Sequence, residues 1–268
     1  MFPQPPEGVS LPFYIFCLAV AILITGIAKA GFGGGVGILA VPLFAAALPA
    51  GRAIGMLLPL LIVADCFANL HHLKNRSPQH LRWLLVGAIA GIALGTLLFL
   101  ALQWTARDGD PAARINRMLN LVVGGVCLLL VLVQVWRLLG GRVPHVPGTP
   151  LAGHITGAVA GFVSTLAHSA GPVISVYLLE RRLEKRLLVG TAALFFLVVN
   201  LAKVPTFVWM GFITRDTLLQ SLWVLPVIPL GTLLGYWMHK HVAEKPFTII
   251  MYLGAAAAAG NMIYKGLS

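Results

Sequence analysis

The sequence predicts an all-α integral membrane protein of two inverted repeats, each a broken helical hairpin followed by three transmembrane helices. Three observations carry this expectation. Of 268 residues, 59% are hydrophobic and only 10% charged, with a mean hydropathy of +0.91. A soluble fold, nearer 45–50% apolar and about 25% charged, could not bury so much apolar surface. Uncharged runs of the length that crosses a bilayer, about 20 residues, recur along the chain. An internal similarity divides it in two.

The similarity rests on a repeated tetrapeptide. Residues 95–98 and 231–234 both read GTLL, an offset of 231 − 95 = 136. The same offset pairs Gly35 with Gly171, Ile38 with Ile174, Leu58 with Leu194 and Leu61 with Leu197. It also lays GFGGGVG at 31–37 on AHSAGPV at 167–173. Both copies thus set a helix-breaking cluster about 60 residues before GTLL.

The first repeat is 1–140. Its hairpin, 12–48, is interrupted by the glycine cluster, and its start has no Lys or Arg, so the first apolar stretch reads as retained. The loop at 71–82 holds Lys74, Arg76 and Arg82 without an acid and is assigned to the cytoplasm. Uncharged runs at 84–102 and 118–136 flank an external loop at 104–117. A cytoplasmic linker, 141–152, carries Arg142. The second repeat, 153–268, opens with the apolar stretch 153–179, broken by HSAGP. The basic RRLEKR at 181–186 stays inside only if that stretch enters and returns, as a re-entrant or spanning hairpin. Apolar segments at 187–211, 217–238 and 247–264 complete the repeat. On this topology eleven Lys and Arg are cytoplasmic and six external, with Lys29 and Lys203 inside apolar segments. The halves then start on opposite sides, an arrangement common in secondary transporters.

The net charge of +11 does not signal nucleic-acid binding, because the basic residues sit in short loops between spans. Cys17, Cys66 and Cys127 fall in apolar stretches without a CxxC pair, which excludes a disulfide framework and reads as small apolar side chains. No metal-ligand spacing or ATP-binding motif occurs, so neither metal nor cofactor is expected.

Broken backbone inside a bilayer must be buried in protein or line a polar cavity. Such a break aims helix N-terminal N–H groups at whatever fills the cavity, and these favour anions. Gly33, Gly34 and Gly35 form one such cluster, and Ala170 with Gly171 the other. His168 and Ser169 add side-chain donors, and Pro172 suits the first turn of a new helix. Close packing by small residues is the competing reading, and it is the one assigned to Gly124–Gly125. Lys29, before the glycines, either snorkels or contacts substrate. Lys203 lies deep in 187–211, with Asn200 one helical turn earlier on the same face. Together they can present a cation and an amide to an oxyanion, or Lys203 can sit at the interface. Asp65 is the one acid within a span, followed at helical spacing by Asn69 and His72. It is a proton-coupling candidate or half of a structural Asp–Asn pair.

In GFGGGVGILAVPLF at 31–44, LAHSAGPVISVYLL at 166–179, GTAALFFLVVNLAK at 190–203 and GAIAGIALGTLL at 87–98 the chain resembles the sulfite exporter TauE/SafE family over roughly 12–262. The resemblance implies an exporter or permease for sulfite, sulfonates and related small anions, with the anion held between the broken hairpins. His168 stands where the family more often shows a small residue, which bears on substrate preference.

The resulting expectation is a secondary transporter in the inner cell membrane, moving a small sulfur-containing oxyanion by alternating access. Gly33, Gly34, Gly35, His168, Ser169, Gly171, Asn200, Lys203 and Lys29 are its substrate-binding residues and Asp65 its proton-coupling candidate. The expected partners are a small anion and the lipid bilayer; a homodimer is allowed, not specified. The alternatives are a passive anion channel and an intramembrane hydrolase using Ser164 or Ser169 with His168. No GxSxG elbow supports the latter.

Overall fold

In a computed structural model the chain is described at residues 5, 6, 8–31, 35–70, 75–105, 110–141, 146–242 and 244–268. All regular structure among these residues is helical. The helices are α1 (Leu11–Gly31), a 3-10 turn (Gly35–Leu39), α2 (Ala40–Ala47), α3 (Ala50–Leu70), α4 (Pro78–Thr105) and α5 (Pro111–Leu138). They continue as α6 (Pro150–Ala167), α7 (Gly171–Glu180), α8 (Lys185–Trp209), α9 (Arg215–Val224), α10 (Val227–His241) and α11 (Glu244–Leu267). Six of them are long and apolar enough to cross a membrane, and α9 with α10 makes a seventh if that bent pair is one span. Large apolar side chains on the outer surface, among them Phe16, Ile89, Leu129 and Leu253, are well exposed, as lipid-facing residues must be.

The polar ends are built by familiar means. Asp110 caps α5 by accepting from the N–H groups of Ala112 and Ala113, with Pro111 at the first helical position. Thr149 caps α6, again ahead of a proline, and Thr214 forms a capping box with Thr217 at the start of α9.

Helix α3 is the most buried of the spans, with 61% of its central window inside the protein, against 28% for α11. It packs on α8, while α4 lies along α6, α10 along α1, and α11 along α5. Glycine makes two of these seams close. A Cβ on Gly87 or Gly91 of α4 would run into the carbonyls of His154 or Ala158 on α6. A Cβ on Gly26 of α1 would come within 2.8 Å of the Gly231 carbonyl carbon on α10. Without hydrophobic drive between helices in lipid, such close backbone approach is what dispersion and packing need. Gly124 likewise seats against Met262 and Ala259 of α11, but Gly125 faces open space, so only one of that pair is a packing residue.

Two further expectations are corrected. The segment 217–238 is not one straight helix: α9 and α10 bend by 48° across Leu225–Pro226. Proline lacks an N–H and clashes with the preceding turn, and Pro226 and Pro229 stand at this bend. Cys66 is exposed, whereas Cys17 and Cys127 are buried as expected.

Candidate functional site

Helix α6 ends at Ala167 and α7 begins at Gly171, so the break expected at HSAGP is present. His168 is the C-cap of α6 and holds a left-handed backbone, φ 50° and ψ 24°. For a residue with a side chain that conformation costs about 1–2 kcal/mol, and glycine is the usual solution. Ala170 leads into α7 without a side-chain cap, and Pro172 follows in the first turn. Ser169 is buried and its hydroxyl donates to the Ala167 carbonyl at 2.7 Å, back into the helix it has just left.

Two helices converge on this break. Lys203 of α8 is fully buried. Its ammonium donates to the Ser164 carbonyl at 3.0 Å and the Ser164 hydroxyl at 2.9 Å, and meets His168 Nδ1 at 3.0 Å. All three of these acceptors lie on α6 and its cap. The other ring nitrogen of His168, Nε2, lies 3.0 Å from the Ile54 carbonyl on α3. An ammonium only donates and a carbonyl only accepts, so Nδ1 is bare and Nε2 carries the hydrogen. The Phe207 ring stands over both groups, 5.9 Å from the Lys203 ammonium and 5.7 Å from the His168 ring. Phe99 and Phe212 pack edge-on around Phe207 and close that side with apolar surface.

One turn before Lys203, Asn200 donates from Nδ2 to Asp65 Oδ2 at 2.7 Å. Both are buried. Asn69 does not take this place. Its amide donates to the Asp65 carbonyl and to the Ala193 carbonyl of α8, at 2.8 and 2.9 Å. The acid is therefore joined to α8 by a side chain far away in sequence, and Asn69 ties the backbones of α3 and α8.

Lys203, His168, Ser169, Asn200, Asp65 and Gly171 thus gather where α3, α6, α7 and α8 meet. Gly35 opens the 3-10 turn before α2, which touches α7. Gly33 and Gly34 lie outside the described residues, as do the side chain of Lys29 and His72. Sequence reasoning missed Ser164 as a lysine partner, the Ile54 carbonyl and the aromatic cluster. The Ser164 hydroxyl, which sequence spacing offers as a nucleophile beside His168, accepts from Lys203.

Two surface grooves are also present, the first reaching Pro172 and Val173 in the first turn of α7. One of about 250 Å³ runs between α5, α6 and α7, past Gln134, Arg137 and Tyr177. The other, about 160 Å³, lies between the turn at Ala46–Pro49, Asn116 and Asn120 of α5, and Lys265 of α11. Among the described residues no group of acidic, histidine and cysteine side chains is arranged to hold a metal.

The family model of the sulfite exporter TauE/SafE matches residues 18–262. Comparison with curated proteins and with solved structures yields no match.

Proposed function

The chain belongs to the sulfite exporter TauE/SafE family of membrane transporters, and from that premise we propose that it exports a small sulfur-containing oxyanion, sulfite or an organosulfonate, across the inner cell membrane by alternating access. The observation that carries the reading is Lys203. A buried ammonium in a span is costly and usually serves a substrate path. This one sits at a helix break, beside the N-terminus of α7. In this proposal an entering oxyanion exchanges with the Ser164 carbonyl and hydroxyl as acceptor, and the N–H groups at Ala170 and Gly171 donate to it as well. Lys29, Gly33, Gly34 and Gly35 complete the site from the first half in this proposal, and Asp65, held by Asn200, is available for proton coupling.

Alternating access needs two halves that rock, and helix bounds support the inverted-repeat reading. Shifted by 136, α1 ends at 167, where α6 ends, and Gly35 falls on Gly171, the start of α7. The same shift carries α3 onto 186–206, within α8, and α4 onto 214–241, the stretch of α9 with α10. The seams answer each other: α4 on α6, and α10 on α1. The contacts His168–Ile54 and Asn200–Asp65 then join one half to the other.

The hydrolase alternative, Ser164 or Ser169 with His168 as base, is disfavoured by the hydrogen bonds made. The Ser164 hydroxyl accepts from Lys203, the Ser169 hydroxyl donates to the Ala167 carbonyl, and the His168 ring nitrogens meet Lys203 and the Ile54 carbonyl. The deciding experiment is uptake into proteoliposomes, comparing sulfite, sulfonates, sulfate and carboxylates. Counterflow of labelled sulfite driven by unlabelled sulfite identifies a carrier; flux without counterflow identifies a pore and ends the alternating-access reading.

A further inference from the structure

The groove between α5 and the end of α11 holds two unmet polar demands. Lys265 stands in the last turn of α11, half-buried, and its ammonium donates to the Ala45 and Ala46 carbonyls at 3.2 and 3.0 Å. These belong to the last turn of α2, whose free carbonyls a lysine can satisfy. An ammonium has three N–H bonds, so one is left over. Among the described residues no carboxylate pairs with its charge. Asn120 of α5 is 3% exposed, and its Oδ1 has no hydrogen-bond partner. Native proteins seldom bury an acceptor without a reason. Asn116, one turn earlier, is half engaged: its Oδ1 accepts from the Ala50 N–H at 2.8 Å, which leaves its NH2 group. Lys265, Asn116 and Asn120 line a single cavity of about 160 Å³, beside Pro6, Val9 and Leu48.

The place of this cavity limits what enters it. Tyr264 and Leu267, on either side of Lys265, are 71% and 75% exposed. A tyrosine and a lysine at the end of a span mark the level of the lipid headgroups. On the topology read from the loop charges, this is the external face. The repeat does not account for the polar set: shifted by 136, Asn116 and Asn120 fall on Tyr252 and Ala256, and Lys265 answers to Leu129. We propose that the cavity holds the headgroup of an anionic phospholipid that carries a hydroxyl, of the phosphatidylglycerol type. Its phosphodiester, with one negative charge, offsets Lys265 and accepts the third N–H. The Asn116 and Asn120 NH2 groups donate to the remaining phosphate oxygens, and the headgroup hydroxyl donates to Asn120 Oδ1. A phosphatidylethanol headgroup has the charge without the hydroxyl, and a choline headgroup has neither the donor nor the net charge. Bound there, the lipid joins α2 and α5 to the end of α11. The proposal stands on the membrane setting and this cavity, whatever the chain transports.

The test uses the full-length protein, stripped of lipid in detergent. Each lipid is added at equal mole fraction, the thermal midpoint is followed, and retained lipid is counted by native mass spectrometry. Phosphatidylglycerol should raise the midpoint and stay bound as one retained molecule. Phosphatidylethanol should bind about fivefold more weakly, the worth of one neutral hydrogen bond, and phosphatidylcholine more weakly again. Asn120→Leu removes the unmet acceptor, so without lipid it should be at least as stable as the wild type, and it should bind the two anionic lipids equally. Lys265→Gln should lose the retained phosphatidylglycerol. Equal binding of phosphatidylglycerol and phosphatidylethanol by the wild type overturns the proposal. So does a preference for phosphatidylglycerol that survives in Asn120→Leu, or a retained molecule that survives in Lys265→Gln. Glycerophosphoglycerol, the same headgroup without acyl chains, should be far weaker than the lipid. If it matches the lipid, the occupant is a soluble phosphodiester and the lipid assignment falls. If neither variant folds, the ranking of the three lipids on the wild type decides.

Discussion

Asn200 donates to Asp65 across 2.7 Å, and with that bond α8 is fastened to α3, the most buried of the spans. Removing one partner leaves the other buried and short of a hydrogen bond, a loss of about 1–3 kcal/mol. Asn200→Ala and Asp65→Ala should each lower the thermal midpoint of the detergent-purified protein. The pair should also be non-additive, with a coupling of about 0.5–3 kcal/mol in a double-mutant cycle. Additive losses would mean that the contact contributes nothing of its own.

Lys203 makes a sharper claim, because its hydrogen bonds are charge-assisted. A hydrogen bond to a charged group is worth about 1.5–3 kcal/mol, which is about 10- to 150-fold in affinity. Lys203→Met should raise the sulfite concentration for half-maximal uptake by that factor. Lys203→Arg should not restore it, since a planar fork does not match three acceptors that converge on one nitrogen. Wild-type uptake in correctly inserted Lys203→Met protein would remove Lys203 from the site.

How much of this was readable without coordinates follows from the range of each interaction. Helices α4, α5 and α11 are visible as uncharged runs because a bilayer selects for length and apolarity alone. The break between α6 and α7 shows as HSAGP, since Pro172 and Gly171 act on the chain locally. The bend between α9 and α10 had an equally local signal, two prolines three residues apart, hidden inside an apolar run that hydropathy treats as one span. The wiring of the site had no such signal. Helical spacing points Asp65 toward Asn69, yet its carboxylate goes to Asn200, 135 residues on. Nor does spacing pair Ser164 with Lys203, 39 residues away; only the packing of α6 against α8 brings them together.

The α4–α6 seam predicts opposite outcomes for two glycines. At Gly91 a methyl group would collide with the Ala158 carbonyl on α6, a backbone atom that cannot rotate away. Overpacking of this kind costs about 1–3 kcal/mol, so Gly91→Ala should lower the thermal midpoint. Gly125 on α5 has nothing within 4 Å of its would-be Cβ. There Gly→Ala should be neutral or stabilise by about 0.5–1 kcal/mol, as in any open helix interior. Equal effects at both positions would show that α4 and α6 do not approach so closely.

The cysteines test the outer surface of α3. Cys66 is exposed, next to Phe67 and one turn before Leu70, which are 48% and 63% exposed, so this end of α3 offers an apolar face outward. Cys17 and Cys127 are closed inside the bundle. Reagent access then decides which thiols react. A lipid-soluble maleimide should therefore add once to the native protein in detergent, at Cys66, and three times after unfolding, as counted by intact mass. Labelling of Cys127 before unfolding would contradict the packing of α5. If Cys66 reacts in detergent but is protected in the intact membrane, something apolar covers the end of α3 there. Cross-linking of Cys66 to its own copy then separates a homodimer from bound lipid, because only the former yields a species of twice the mass.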